Sequence, residues 1–382
     1  MKFKLILIVS ILTLSCASKD PIEQILSSED TTIRRVVDNL EKHEVQIIYS
    51  QIHRNEKNKI SFTDYEFNVS DSTYFYPASS VKFPIALITL EKLNELQKSG
   101  ISIDRNSTFI LERDTLYTNI EKEIIKIFAV SSNKAYNRLF EFLGQDYINQ
   151  KLQSKNLKGR ISHRLSAFHS HNLKTQSIAF KKNVDDSIVM YQQESITNTP
   201  QSKLSLEKLL KGKGYIYNDS LMQRPKDFSE KNYLPLRSLH EMMKRIHFPK
   251  NYSEKEGFNI SKDDYNFVIN AMKTLPSETG YDKKEYYDGY VKFFMFGDTK
   301  EDIPEHIQIH NKVGYAYGYL TDCAHIKDSK NNIEFLLSAT IHVNENEIYN
   351  DNQYEYDEIG IPFLAEIGRK IYQLELNRNK ID

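Results

Sequence analysis

The chain has no tryptophan and only two cysteines, Cys16 and Cys323, in 382 residues. No disulfide framework is expected from so few thiols, so stability has to come from a buried core, and 382 residues with 40% hydrophobic content can supply one. An excess of charge of one sign is missing as well. Lys and Arg number 51 against 52 Asp and Glu, a formal net charge of −1, which excludes the basic footprint of a nucleic-acid-binding surface. The short basic stretches Lys181-Lys182 and Lys211 to Lys213 read as solvated loops. Internal repeats, low-complexity segments and long Pro/Gly-rich linkers are also lacking, which leaves one domain or two interleaved lobes.

One apolar run stands out, from Leu5 through Leu14, broken only by Ser10 and Thr13 and preceded by Lys2 and Lys4. It is too short to span a bilayer and reads as an exported leader over residues 1–15. Leu14-Ser15-Cys16-Ala17 then resembles the lipobox of bacterial lipoproteins, with Thr13 where Leu is usual. That resemblance implies a lipidated Cys16 as mature N-terminus and residues 16–30 as a tether. It implies an exported protein lipid-anchored in the bacterial cell envelope, periplasmic or cell-surface. Cys323 is then left without an intramolecular partner.

Periodicity predicts an amphipathic helix over Thr31 to Glu41, strands at Val45 to Ile52 and Ile60 to Val69, and a long helix from about Ser79 to Gln97. Two short helices, Ile120 to Val130 and Lys134 to Leu143, flank Ser131 to Asn133, and a further helix covers Leu236 to Ile246. Late in the chain, His306 to Val313, Tyr317 to Ile326 and Ile333 to Val343 read as strands, and Pro362 opens a terminal helix. The fold class is therefore α+β. N- and C-terminal strands close one antiparallel sheet, helices flank it, and a helical lobe is inserted in the middle.

Three short motifs carry chemistry. Ser79 and Lys82 lie three apart at a helix start, so they share a face and the amine can reach the hydroxyl, while backbone N–H groups favour developing negative charge. Burial or a nearby cation such as Lys312 lowers the lysine's pKa and fits it to act as base. A second Ser-x-x-Lys, Ser205 and Lys208, lacks companions and reads as surface helix. Ser131 is placed to relay a proton to a departing amine and Asn133 to hold a substrate amide. Lys312-Val313-Gly314 supplies a further cation at a strand end. His169-Ser170-His171 has no clear third ligand beside it and reads as a loop pair, so no metal and no cofactor are expected.

The flanks of these motifs resemble the class A β-lactamases. Tyr76-Pro77-Ala78-Ser79-Ser80-Val81-Lys82-Phe83-Pro84 is similar to the family's nucleophile segment, and Ser131-Ser132-Asn133-Lys134-Ala135-Tyr136-Asn137 to its Ser-Asp-Asn segment. Lys312-Val313-Gly314 through Cys323-Ala324 is similar to its Lys-[Ser/Thr]-Gly strand, including Gly318, Asp322 and Ala324. The resemblance implies a β-lactamase/transpeptidase-like domain over 31–382 and an envelope serine hydrolase that forms acyl-Ser79 with β-lactams or related amides. Lys82 and Ser131 are its catalytic partners. Asn133, Lys312, Gly314 and Tyr315 are the implied substrate-binding residues, with the backbone N–H groups of Ser79 and Tyr315 as oxyanion hole. The implied partners are a small-molecule β-lactam or a cell-wall peptide, with no nucleic acid, and a monomer is expected.

The chain departs from that family at three residues and over one long region. Ser166 in His163-Arg164-Leu165-Ser166 stands where the family has the glutamate that activates the deacylating water. A carboxylate from elsewhere, such as Glu194 or Glu207, is a candidate replacement. Val313 replaces a hydroxyl that in the family helps to hold a substrate carboxylate, and Ser132 replaces an Asp. Residues 167–304 form a divergent, extended region. A penicillin-binding-like peptidase and a catalytically degenerate binding or sensor lipoprotein are the alternative readings.

Overall fold

The computed structural model describes residues 20–182 and 188–378. The expected leader and Cys16 lie outside them. Of the expected tether, the part from Asp20 onward is instead packed structure. Asp20 caps helix α1 (Pro21–Leu26) by accepting from the Ile22 N–H at 2.8 Å, Pro21 supplies a preset φ, and Ile22, Ile25 and Leu26 are buried. The predicted helix over Thr31 to Glu41 is two pieces, α2 (Thr31–Val37) and α3 (Leu40–His43), divided at Asn39, whose backbone is not helical.

Strands β1 (Gln46–Arg54) and β2 (Ile60–Phe67) follow, then a 3₁₀ turn (Ala78–Val81) that runs into α4 (Lys82–Lys98). The helical lobe continues with β3 (Thr108–Leu111), α5 (Ile120–Val130), α6 (Asn133–Leu143) and α7 (Gln145–Ser154). β4 (Ile178–Lys181) joins β3 to β5 (Val189–Gln193) in a small sheet of order β3-β4-β5. The divergent region adds β6 (Leu210–Lys211), β7 (Gly214–Tyr217), β8 (Ser220–Met222) and β9 (Lys226–Asp227), then α8 (Leu236–His247), α9 (Lys262–Lys273) and α10 (Phe293–Phe296). Ser205 and Lys208 lie in a loop that includes a positive φ at Lys208, not in the surface helix expected there.

β10 (Ile307–Ala316), β11 (Tyr319–Asp328) and β12 (Ile333–His342) precede β13 (Ile348–Tyr349) and the terminal helix α11 (Ile361–Asn377). Tyr317 and Gly318, both at positive φ, make the two-residue turn that joins β10 to β11, so β11 starts two residues later than the apolar pattern suggests. The main sheet has the order β10-β11-β12-β1-β2, antiparallel throughout. It is the closure from both chain ends that the motif order implies.

Both faces of this sheet are covered, which accounts for the nearly continuous apolar run of β12. Its back face packs on α1, α2, α10 and α11, where Phe363, Leu364, Ile367 and Ile371 are buried, each stabilising by about 1.5–3 kcal/mol. Its front face packs on α8 and the helical lobe through Ile52, Cys323 and Leu336. The buried Cys323 thiol is free among the described residues. The lobe and the sheet meet where the 3₁₀ turn touches β10.

Candidate active site

Ser79 sits in the 3₁₀ turn, just ahead of α4, and that turn is held tightly. The Ser80 hydroxyl donates to the Pro77 carbonyl at 2.7 Å, and Ala78, just before Ser79, has a φ of +46°. For a non-glycine residue this is a strained conformation, which the surrounding structure has to enforce. Strand β10 enforces it from the other side. A Cβ on Gly314 would lie 2.5 Å from the Pro77 carbonyl oxygen and 2.9 Å from the Ser79 nitrogen, so only glycine lets the strand come this close. Tyr315 follows directly and lines the same cavity as Ser79.

Lys82 is fully buried, with its Nζ 2.8 Å from Ser79 Oγ. The amine also meets the Ser131 carbonyl, Asn133 Oδ1 at 2.7 Å and Ser131 Oγ at 3.2 Å. Burial, and after it the nearby Lys312 ammonium, hold the Lys82 pKa well below the ordinary lysine value. A neutral amine has two N–H donors and one lone pair. The Ser131 carbonyl and Asn133 Oδ1 accept only and take both donors, which leaves the lone pair for the Ser79 hydroxyl.

Ser131 is the left-handed residue that ends α5, and Ser132 caps α6 by accepting from the Ala135 N–H, so the chain turns between them. That turn puts the Ser131 hydroxyl between the two lysines: Lys312 Nζ lies 2.8 Å from Ser131 Oγ and also donates to the Val313 carbonyl. Burial pushes Lys312 down to about 7, Asp322 opposing it and Lys292 adding to it. Asp322 is itself raised to about 6 by burial. It accepts from Asn311 Nδ2 at 2.8 Å and from the Phe293 N–H. Val313 points to the other face of β10, buried in the back core, and does not line the cavity.

The loop that carries Ser166 is fastened to α6. Arg164 pairs with Glu141 through two bonds of 2.6 and 2.9 Å, Asn137 exchanges hydrogen bonds with the Leu165 backbone, and the Tyr136 hydroxyl donates to the His163 carbonyl. Ser166, exposed and at positive φ, accepts from Asn133 Nδ2 at 3.0 Å. The residue expected in the glutamate's place therefore does stand beside the site. Neither Glu194, bonded to Gln192, nor Glu207, bonded to Thr73, lines the cavity.

A cavity of about 560 Å³ opens over Ser79, Asn133, Ser166 and Tyr315, and among the described residues none that lines it carries a carboxylate. Its wall also contains residues that the motif reading missed: Lys231, Asn350, Tyr354 and Tyr356. Tyr315 packs edge-on against Tyr356 and Tyr76 against Tyr317, so an aromatic rim surrounds a polar floor. The cluster of tyrosines from Tyr349 to Tyr356 is the only sequence signal that points there.

A serine and two buried lysines meeting where a five-stranded antiparallel sheet joins a helical lobe define the β-lactamase/transpeptidase-like class of fold. Residues 30–215 match the model of the β-lactamase enzyme family. A β-lactamase from Sphaerobacter thermophilus superposes with a TM-score of 0.50 at 12% identity, covering 93% of this chain and 97% of that one. A point mutant of PBP-A, solved as an acyl-enzyme complex with penicillin G, gives 0.50 at 11% identity over 92% and 96%, and PBP-A itself 0.50 at 11% over 93% and 97%. No curated protein matches. The family match over residues 30–215 and the shared fold together support a serine β-lactamase-like family.

Proposed function

We propose that the protein is an envelope serine hydrolase that acylates Ser79 with β-lactams or related amides and releases the acyl group slowly. The reading is carried by the 2.8 Å approach of a buried Lys82 amine to Ser79 Oγ. Neutral Lys82 takes the hydroxyl proton as Oγ attacks the amide carbonyl. The backbone N–H groups of Ser79 and Tyr315 receive the oxyanion. The C–N bond then breaks, and a proton passes through Ser131 to the leaving nitrogen. Asn133 holds the substrate's amide and Lys312 its carboxylate.

Intact-protein mass spectrometry after mixing with a penicillin and a cephalosporin tests this. The expected result is a single added acyl group, absent in Ser79→Ala. An adduct that persists in Ser79→Ala, or no adduct with any β-lactam, refutes it.

The pH profile gives a second test. Acylation by an anionic penicillin needs Lys82 without its proton, and it should fall as pH passes about 7 and Lys312 loses the charge that holds the carboxylate. The penicillin methyl ester lacks that carboxylate and should lack the alkaline fall. An equal fall for both substrates removes Lys312 from the anion-binding role.

The lack of a carboxylate among the described residues that line the cavity favours a second reading, a penicillin-binding-like peptidase or a sensor on cell-wall peptides, in which a long-lived acyl-Ser79 is the functional state. Export and anchoring through a lipid on Cys16 belong to both readings. Among the described residues no helix is long and apolar enough to cross a membrane. Cys16→Ala should move the protein from the membrane fraction to the soluble one, and unchanged fractionation rejects the anchor.

A further inference from the structure

Three histidines far apart in the sequence come together away from Ser79. His310 on β10 and His325 on β11 are directly opposed in the strand register and buried, and His247, the last residue of α8, lies over both. Ring centroids are 4.0 Å apart for His247 and His325, 5.0 Å for His247 and His310, and 5.6 Å for His310 and His325. One ligand nitrogen from each lies within 4.8 Å of the other two.

The hydrogen-bonding pattern identifies those nitrogens. His247 Nε2, His310 Nδ1 and His325 Nδ1 are all buried and have no hydrogen-bond partner, an arrangement that folding ordinarily avoids because each such atom gives up water for nothing. Glu334 stands 2.8 Å from the other nitrogen of His325, Nε2. Its carboxylate holds the proton there and turns the Nδ1 lone pair toward the cluster, as in carboxylate-histidine-metal sites. Burial keeps all three rings below the ordinary histidine pKa, and their mutual proximity adds to this at His247 and His310; neutral rings are the form that binds metal. Arg54 and Lys327 lie near, and both pair with Glu334.

We propose that His247, His310 and His325 form a site for a divalent first-row transition metal, Zn²⁺ by preference, with water as the fourth ligand. Three imidazoles plus an open position suit tetrahedral Zn²⁺, whose bonds of about 2.0–2.1 Å place the nitrogens roughly 3.3 Å apart, within reach of ring rotation. The site ties the C-terminus of α8 to the β10-β11 pair. His310 lies two residues before Lys312 on the same face of β10, so the ion braces the strand that carries that lysine. The inference stands independently of the acylation chemistry.

The test uses tag-free protein, stripped with chelator and reloaded separately with Zn²⁺ and Co²⁺. One equivalent of each should bind, Zn²⁺ should raise the melting temperature, and Co²⁺ should give an intense tetrahedral visible band. His247→Gln, at a partly exposed position, should abolish the band while the far-UV circular dichroism is retained. Glu334→Gln, which keeps all three ligands, should weaken binding about 10–100-fold. Absence of stoichiometric binding by the unmodified chain overturns the proposal, as does full binding by His247→Gln.

Discussion

Lys82→Ala should slow acylation of Ser79 by a penicillin about 10²–10⁴-fold, the range that a positioned general base contributes. The variant loses the lone pair 2.8 Å from Ser79 Oγ, and the second lysine of the site does not replace it, because Lys312 reaches Ser131 instead. Lys82→Arg separates the base from its charge. A guanidinium is a cation at every accessible pH and cannot take the proton, so the arginine variant should be as slow as the alanine variant. A rate near that of the unmodified protein in Lys82→Arg would show that the position needs only positive charge. Circular dichroism checks that the variants fold, since truncation also leaves the Ser131 carbonyl and Asn133 Oδ1 without this donor.

Ser166→Glu should shorten the lifetime of the acyl-Ser79 adduct, by the same argument and in the same range of about 10²–10⁴-fold. Ser166 reaches Asn133 and lines the cavity, its side chain is exposed, and its loop is fixed by the Arg164–Glu141 pair, so a longer carboxylate finds both room and a defined position. The positive φ is already borne by a non-glycine residue. Adduct mass is followed against time after excess drug is removed. If the unmodified protein sheds its adduct within seconds, a base other than position 166 is at work. If Ser166→Glu is no faster, the carboxylate's absence is not what limits turnover.

How much of this is legible in the chain follows from the range of the interactions. Ser79 and Lys82 are one helical turn apart, so their meeting is local and periodicity is enough to expect it. The α5 and α6 boundaries are equally legible, because Asn119 and Ser132 cap them from within their own segments. Residues 20–26 defeat a local reading because a short apolar stripe is a tether or a docked helix depending on whether a distant surface accepts it. Here α11 and the sheet's back face do. Val313 looks in the motif like a lost substrate contact, although strict alternation from Lys312 already turns it toward the opposite face.

By itself the sequence determined the α+β class, the order of the three motifs, and the absence of a carboxylate at position 166, since each depends on neighbouring residues. Only the tertiary structure decided what surrounds them. It brought Lys312 to Ser131 across 181 positions, built the tyrosine rim from chain segments that periodicity cannot join, and gathered histidines 247, 310 and 325. Those proximities arise from strand register and helix docking. Both are settled by burial of whole faces, and no local pattern records which distant faces will meet.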